Sequence, residues 1–218
     1  MQTEAVKPYY EILQKKQIGL IFKRLFDIVV SLIMLLILSP VFLVLAIAIK
    51  LDSKGPVFYR QVRVTQYGKE FRIFKFRTMV NNADKIGSQV TVGGDNRITR
   101  VGKVIRGCRL DEIGQLLNIL GGSMTFVGTR PEVPKYVEKY TSEMWATLLL
   151  PAGVTSEASI RYKDEAALLD VAEDVDATYI QDVLPGKMKY NLRSIQEYSF
   201  FKDIETMFQT IFAVVEKD

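Results

Sequence analysis

The chain has 218 residues, a formal net charge of +4, 48% hydrophobic residues, one cysteine and no histidine. The absence of histidine excludes Ser-His and Cys-His nucleophile pairs and His-ligated zinc, and the single Cys108 excludes an internal disulfide. The modest basic excess suits an anionic membrane surface or phosphate-bearing substrates. Without a dense basic stripe or a nucleic-acid motif, nucleic acid is not an expected partner.

Residues 1–22 predict an N-terminal helix. From Pro8 to Phe22, aromatic and aliphatic residues alternate with Lys15 and Lys16. That pattern suits a helix at a membrane interface or a leader packed on its own domain. Residues 23–50 form the membrane segment. Leu25 to Ile49 is almost wholly apolar, broken by Asp27, Ser31 and Ser39-Pro40, with Lys23, Arg24 and Lys50 at its ends. Roughly 20 apolar residues suffice to cross a bilayer core. Pro40 cannot donate to the carbonyl of Leu36, so a kink is expected there, and the Ser39 hydroxyl can occupy the released carbonyl. Two readings stay open on physics alone: a kinked helix that still spans, or a re-entrant helix that enters and returns on one face. Basic residues at both ends agree with the second. Asp27 is expected to pair with Lys23 and Arg24 at headgroup depth.

Residues 51–218 suffice for one compact domain. Pro56–Val64 and Phe71–Arg77 alternate like strands around a Tyr67-Gly68 turn, which predicts a hairpin. Asn81–Thr99 reads as a polar loop. Leu110–Leu120 has apolar residues at helical spacing, ended by Gly121-Gly122, and Ser123–Val127 is strand-like. Val133–Leu149 predicts one helix. Further helical pieces are expected at Ala166–Leu169, Ala177–Leu184, Lys187–Tyr198 and Phe200–Val215, the last near the membrane. The fold class is mixed α/β and mostly helical, with a small hairpin or sheet.

The chemistry centres on Asp111 and Glu112. Leu110 as first helical residue would put both in the first turn, where carboxylates are stabilised. Acidic residues are routine there, so spacing alone leaves function and plain structure even. Arg106, Arg109 and Arg130 shift the balance, because guanidinium groups bind phosphate bidentately. A carboxylate nucleophile and a metal-binding carboxylate in a cationic pocket suit phosphoryl transfer. Cys108 is expected as a small packing residue and Trp145 as core or interface. Lys163–Glu165 and Glu173–Asp176 read as solvated charge.

Several stretches together resemble the bacterial sugar transferase family, the monotopic phosphoglycosyl transferases that start glycan assembly on a lipid carrier. They are Lys23-Arg-Leu-Phe-Asp27, Ser39-Pro40, Gly55-Pro-Val-Phe58, Phe74-Lys-Phe-Arg-Thr-Met79, Leu110-Asp-Glu112, Gln115-Leu-Leu-Asn118 and Val127-Gly-Thr-Arg-Pro131. The resemblance implies a re-entrant helix broken at Ser39-Pro40 and a cytosolic catalytic domain on the inner (cytoplasmic) membrane. It implies that Asp111 attacks the β-phosphate of a UDP-sugar, that UMP leaves, and that undecaprenyl phosphate then takes the phospho-sugar. Asp111 and Glu112 would bind Mg²⁺, and Glu112 would assist the second step. Lys75, Arg77, Arg106, Arg109, Arg130 and Pro131 would form the phosphate and substrate site. Two stretches depart from the family pattern: Thr129-Arg130-Pro131 stands for Pro-Arg-Pro, and Pro151–Ala158 lacks the usual tryptophan. Arg161 would serve as the basic residue after the second. Membrane lipids are expected partners, and a homo-oligomer is allowed. The competing readings are an inactive membrane scaffold and a nucleotide-sugar-binding module. Intact Asp111, Glu112, Arg106 and Arg130 argue against the scaffold.

Overall fold

The computed structural model describes residues 3–83, 95–170, 172 and 174–215. Helix α1 (Lys7–Gln14) precedes a 36-residue helix α2 (Gln17–Asp52). Four short strands follow: β1 (Phe58–Tyr59), β2 (Val62–Val64), β3 (Glu70–Arg72) and β4 (Lys75–Phe76). Then come α3 (Arg100–Gly107), a 3-10 helix (Leu110–Gln115), α4 (Leu116–Leu120), β5 (Met124–Val127) and α5 (Pro134–Val137). A second 3-10 helix (Met144–Leu149) leads to β6 (Ala152–Thr155), α6 (Glu157–Arg161), α7 (Glu165–Asp170) and α8 (Val175–Thr178). A π-helical turn (Tyr179–Val183) enters α9 (Leu184–Gln196), and α10 (Phe200–Val215) ends the described chain.

The expected hairpin is present, split into two antiparallel ladders. β2 pairs with β3 around the Tyr67-Gly68 turn, and β1 pairs with β4 in the register Phe58↔Phe76 and Tyr59↔Lys75. β5 and β6 form a parallel pair, Met124↔Ala152 and Val127↔Thr155. The predicted 133–149 helix is broken. Tyr140 is buried and packs edge-on against Trp145, and the Thr141 hydroxyl accepts from the Met144 amide at 3.4 Å. A buried ring and a local cap thus restart the chain as a 3-10 helix. The polar loop predicted at 81–99 lies largely outside the described residues.

Helix α2 shows how the membrane segment joins the domain. At its start, Lys23 Nζ donates to the Val127 carbonyl at 2.8 Å and pairs with Asp203 of α10. Arg24 donates to the carbonyls of Ile119 and Leu120, satisfying the open end of α4. Asp27 is not the headgroup-level partner of Lys23 and Arg24 that the sequence suggests. It is buried, accepting from the Thr125 hydroxyl at 2.7 Å and the Phe126 amide at 3.3 Å. Phe26, Val30, Leu35 and Leu38 pack against a core of Ile73, Leu116, Ile119, Met124 and Phe126. At the far end, Leu45 and Ile49 pack with Phe76 and Ile105.

The family resemblance implies a helix broken at Ser39-Pro40, yet Gln17–Asp52 is one helix. Ser39 Oγ donates to the Leu36 carbonyl at 2.8 Å, the acceptor that Pro40 cannot reach. Leu36, Ile37, Leu43 and Val44 are exposed around it. The amphipathic leader is shorter than its pattern, because Gln17–Phe22 belong to α2. Val6, Tyr9 and Leu13 bury their side chains against Leu149, Ile195 and Tyr198, so the apolar face of α1 meets protein.

Arg77 closes the C-terminal end of α2. Its guanidinium donates to the carbonyls of Lys54, Ser53 and Ile49 at 2.6, 2.7 and 3.4 Å. It is 5% exposed and faces backbone, so the phosphate-binding role implied by the resemblance is corrected to a helix cap. Arg77→Met should destabilise the fold by roughly 2–3 kcal/mol, because charge-assisted bonds are lost and buried carbonyls are left open. Urea unfolding in detergent measures this; a donor-affinity defect at unchanged stability would return Arg77 to the site.

Candidate active site

The carboxylate pair sits on the 3-10 helix. Helix α3 ends at Gly107, Cys108 follows exposed, and Arg109 takes a left-handed conformation, φ 53°. For a residue with a Cβ that conformation costs on the order of 1–3 kcal/mol. It reverses the chain so that Leu110–Gln115 starts beside β4. In a 3-10 helix successive side chains point about 120° apart, so Asp111 and Glu112 face different partners. Cys108 is therefore not the packing residue expected, and Arg109 contributes backbone shape, with an exposed side chain.

Glycine permits two close approaches here. A Cβ on Gly114 would lie 2.9 Å from the Phe74 carbonyl oxygen, and one on Gly102 would lie 2.0 Å from the Thr78 carbonyl oxygen. The first lets the 3-10 helix touch β4. The second lets α3 lie on Thr78, whose Oγ1 accepts from Arg106 Nε at 2.8 Å. Asn118 completes the seam, accepting from the Phe74 amide at 2.7 Å and donating to the Arg72 carbonyl at 3.1 Å.

Glu112 Oε1 accepts from Lys75 Nζ at 2.8 Å and from Arg130 at 2.5 Å. Burial raises the Glu112 pKa, but Arg130 and Lys75 overcome that and hold it well below the ordinary carboxylate range. The Lys75 pKa is lowered by burial, with Glu112 opposing. Glu112 raises that of Arg130. Asp111 differs. Among the described residues its carboxylate makes no ion pair within 4 Å. Burial raises its pKa, Lys75 and Arg106 lower it, and Glu112 raises it again, for a net rise. One carboxylate is clamped and its neighbour carries no ion pair among the described residues.

Arg130 reaches Glu112 from the loop after β5. Thr129, in place of the expected proline, offers its carbonyl to the Gly153 amide at 2.8 Å, so β6 braces the loop. Pro131 is buried, and its carbonyl accepts from Arg63 at 2.9 Å. It thus shapes the loop and presents no side chain to a ligand. Beneath it lies a buried network that the sequence does not disclose. Glu132 accepts from the Tyr179 hydroxyl at 2.5 Å, and Lys187 Nζ lies 3.8 Å from Glu132 and 2.9 Å from Glu165. Glu165 is therefore not simply solvated charge. Asp176 is exposed, as expected of solvated charge, and accepts from Lys135 and Tyr136, while Glu173 lies outside the described residues. Only the adjacency of Glu132 to Arg130-Pro131 hints at the network.

Lys75, Arg106, Arg130, Asp111 and Glu112 are thus brought together. Arg161 is not: it pairs with Glu157 at 3.3 Å and lies over the Tyr190 ring, on the side of α6 and α9.

The family described as bacterial sugar transferase matches residues 18–217. A UDP-N-acetylgalactosamine-undecaprenyl-phosphate N-acetylgalactosaminephosphotransferase of Aeromonas hydrophila is 36% identical over 193 residues, 87% of this chain and 42% of that protein. A UDP-glucose:undecaprenyl-phosphate glucose-1-phosphate transferase of Klebsiella pneumoniae is 37% identical, over 89% of this chain and 40% of that protein. The chain spans about two fifths of the length of these two relatives. The exopolysaccharide production protein ExoY of Sinorhizobium fredii is 30% identical over 98% of this chain and 90% of its own length.

The two carboxylates should respond oppositely to neutralisation. The raised pKa of Asp111 means that its ionised form weighs against the fold, so stability falls as pH rises from the ordinary carboxylate value through the raised one. Asp111→Asn should therefore raise the Tm at pH 7. The lowered pKa of Glu112 contributes stability above the ordinary value, lost as pH falls toward the lowered one. Glu112→Gln should cost roughly 1–3 kcal/mol, below the ~3–5 kcal/mol of a fully buried pair, because the site is partly open. Thermal melts in detergent read both signs; a stabilised Glu112→Gln would show that the clamp is not favourable.

Proposed function

The chain belongs to the bacterial sugar transferase family, and on that footing we propose that it is a membrane-associated phosphoglycosyl transferase. It would move a sugar-1-phosphate from a UDP-sugar to undecaprenyl phosphate, the first membrane step in building a glycan. The observation that carries this reading is the contrast inside the carboxylate pair: Glu112 bonded to Lys75 and Arg130, Asp111 beside it without an ion pair among the described residues.

In this mechanism an Asp111 carboxylate oxygen attacks the β-phosphorus of the donor. A P–O bond forms, the bond to the bridging oxygen breaks, and UMP leaves with that electron pair. The phosphate oxygen of undecaprenyl phosphate then attacks the same phosphorus and Asp111 departs as carboxylate. Lys75 and Arg130 offset charge on the equatorial oxygens without reorganising, since Glu112 and the braced loop hold them in place. Arg106, anchored through Thr78, adds charge on the Asp111 side.

The donor set fits Mg²⁺. Among the described residues both bonds to Glu112 fall on Oε1, which leaves Oε2 and the Asp111 carboxylate as hard oxygen ligands. No cluster of three acidic, His or Cys side chains exists among those residues; Mg²⁺ usually binds through one or two carboxylates plus substrate phosphates. The ion would supply charge neutralisation on the diphosphate.

Mixing the protein with a panel of UDP-sugars, Mg²⁺ and undecaprenyl phosphate should release UMP with at least one sugar. The release should vanish in EDTA and fall by at least about 10³-fold in Asp111→Asn, the scale of a lost nucleophile. Full turnover by that variant would reject Asp111, and no UMP from any sugar would favour a binding module or scaffold.

We further infer a re-entrant topology on the cytoplasmic face. It is supported by the bonding of both ends of α2 to one domain, Asp27 to β5 and Ile49 to Arg77, and by the exposed apolar flank between them. Two ends held on one folded body favour entry and return on the same face. In a Cys108→Ser background, Glu4→Cys should resist an impermeant maleimide in intact cells and react after lysis. Labelling in intact cells would mean that α2 spans.

A further inference from the structure

The register of the β1–β4 pair sets Tyr59 opposite Lys75. Residues directly opposite in an antiparallel pair share a face, with Cβ atoms about 4.5–5.5 Å apart. Tyr59 therefore stands beside the lysine that holds Glu112, and its side chain is 37% exposed. A cleft of about 330 Å³ opens at this point. One wall carries Tyr59, Arg60 and Arg72, and the other Val133, Pro134 and Lys135. Each wall leads to one cation of the Glu112 clamp: β1 lies on β4 with Lys75, and Val133 follows Arg130 by three positions.

The cleft is built, not incidental. The Val64 amide donates to the Glu132 carbonyl at 3.0 Å, and Arg63 donates to the Pro131 carbonyl at 2.9 Å, so the walls are tied across their base. The Arg60 guanidinium lies 3.5 Å over the Phe74 ring centroid, which fixes its plane. Lys135 is held by Asp176. The lining includes neither the two carboxylates nor Lys75 and Arg130; Tyr59, the cross-strand neighbour of Lys75, is the link between the cleft and the clamp. A ligand with phosphates on Lys75 and Arg130 can extend into the cleft without crowding the carboxylates.

We propose that this cleft seats the nucleoside of the nucleotide-sugar, with the Tyr59 ring stacked on the base and Arg60 and Arg72 at its polar edge. The inference rests on the transferase reading and assigns its donor-binding residues. An exposed aromatic beside planar guanidiniums suits a flat, carbonyl-bearing base next to a phosphate. The volume lies within the range of small-molecule sites. The sugar then lies outside this cleft, and Tyr59 does not select among sugars.

Calorimetry with UMP alone, without donor or lipid, tests the assignment apart from turnover. Tyr59→Ala should weaken UMP binding by about 5- to 100-fold, the scale of a lost base–aromatic stack. Tyr59→Phe, which keeps the ring, should restore it to within about twofold. In turnover, Tyr59→Ala should raise the KM for every accepted UDP-sugar alike and leave the KM for undecaprenyl phosphate unchanged. Arg72→Gln should weaken UMP binding in the same direction, a second surface variant that does not touch the core. Unaltered UMP binding in Tyr59→Ala, no UMP binding by the unmodified chain, or an effect confined to some sugars would overturn the proposal. UMP binding with the expected Tyr59 dependence but no turnover would instead fault the transferase reading and leave the cleft standing.

Discussion

One oxygen of Glu112 carries two cations, Lys75 from β4 and Arg130 from the loop after β5. These residues come from distant parts of the chain, so the shared oxygen fixes the hairpin against the parallel pair as well as neutralising charge. A carboxylate in such surroundings is costly alone and stable when paired. The two cations balance the two adjacent carboxylates in number. Burial raises the pKa of Asp111, and Lys75, engaged with Glu112, and Arg106 only partly offset it. The same arrangement that stabilises one acid leaves the other partly buried and without an ion pair among the described residues. In the proposed reaction a diphosphate adds negative charge that the cluster does not already offset, and Arg106 and a divalent ion would balance it.

The platform for that cluster is joined to the membrane segment by charge as much as by apolar packing. Lys23, Arg24 and Asp27 bond to backbone and side chains of α4, β5 and α10, and Arg77 binds the carbonyls at the other end of α2. The next residues after Phe76 and Arg77 carry Thr78, the anchor of Arg106, so the end of α2 and the active-site wall share one short strand segment. Exposed Phe201, Phe208 and Phe212 on α10, which also contacts α2, extend the apolar surface beside it. The exposed apolar flank of α2 and the carboxylates are thereby held in fixed positions relative to each other.

Local patterns were legible in the sequence and long-range pairings were not. Strand alternation around Tyr67-Gly68, the strand at Met124–Val127 and the closing helix at Phe200–Val215 all depend on near neighbours, and all are present. Val133–Leu149 failed because the burial of Tyr140 and the Thr141 cap outweigh helical periodicity. The partnership of β5 with β6 leaves no local signal, since a parallel pair forms across an intervening connection. At the site, Asp111, Glu112, Lys75 and Arg130 were visible as chemistry-bearing residues in recognisable motifs. Arg77 sits two residues after Lys75, where strand alternation would put both on one side, but β4 ends at Phe76 and Arg77 turns onto the carbonyls of α2. The Glu132–Tyr179–Lys187 network joins residues far apart in sequence, so only the fold reveals it.

The proposed mechanism requires above all that Asp111 be the group that bonds to phosphorus. Intact-mass measurement of the protein mixed with Mg²⁺ and an accepted UDP-sugar, without undecaprenyl phosphate, reads that directly. The unmodified chain should gain the mass of one phospho-sugar, mapped to the peptide holding Asp111 and discharged on adding the lipid phosphate. An adduct that persists in Asp111→Asn, or turnover with no adduct and direct transfer between donor and lipid, would contradict it.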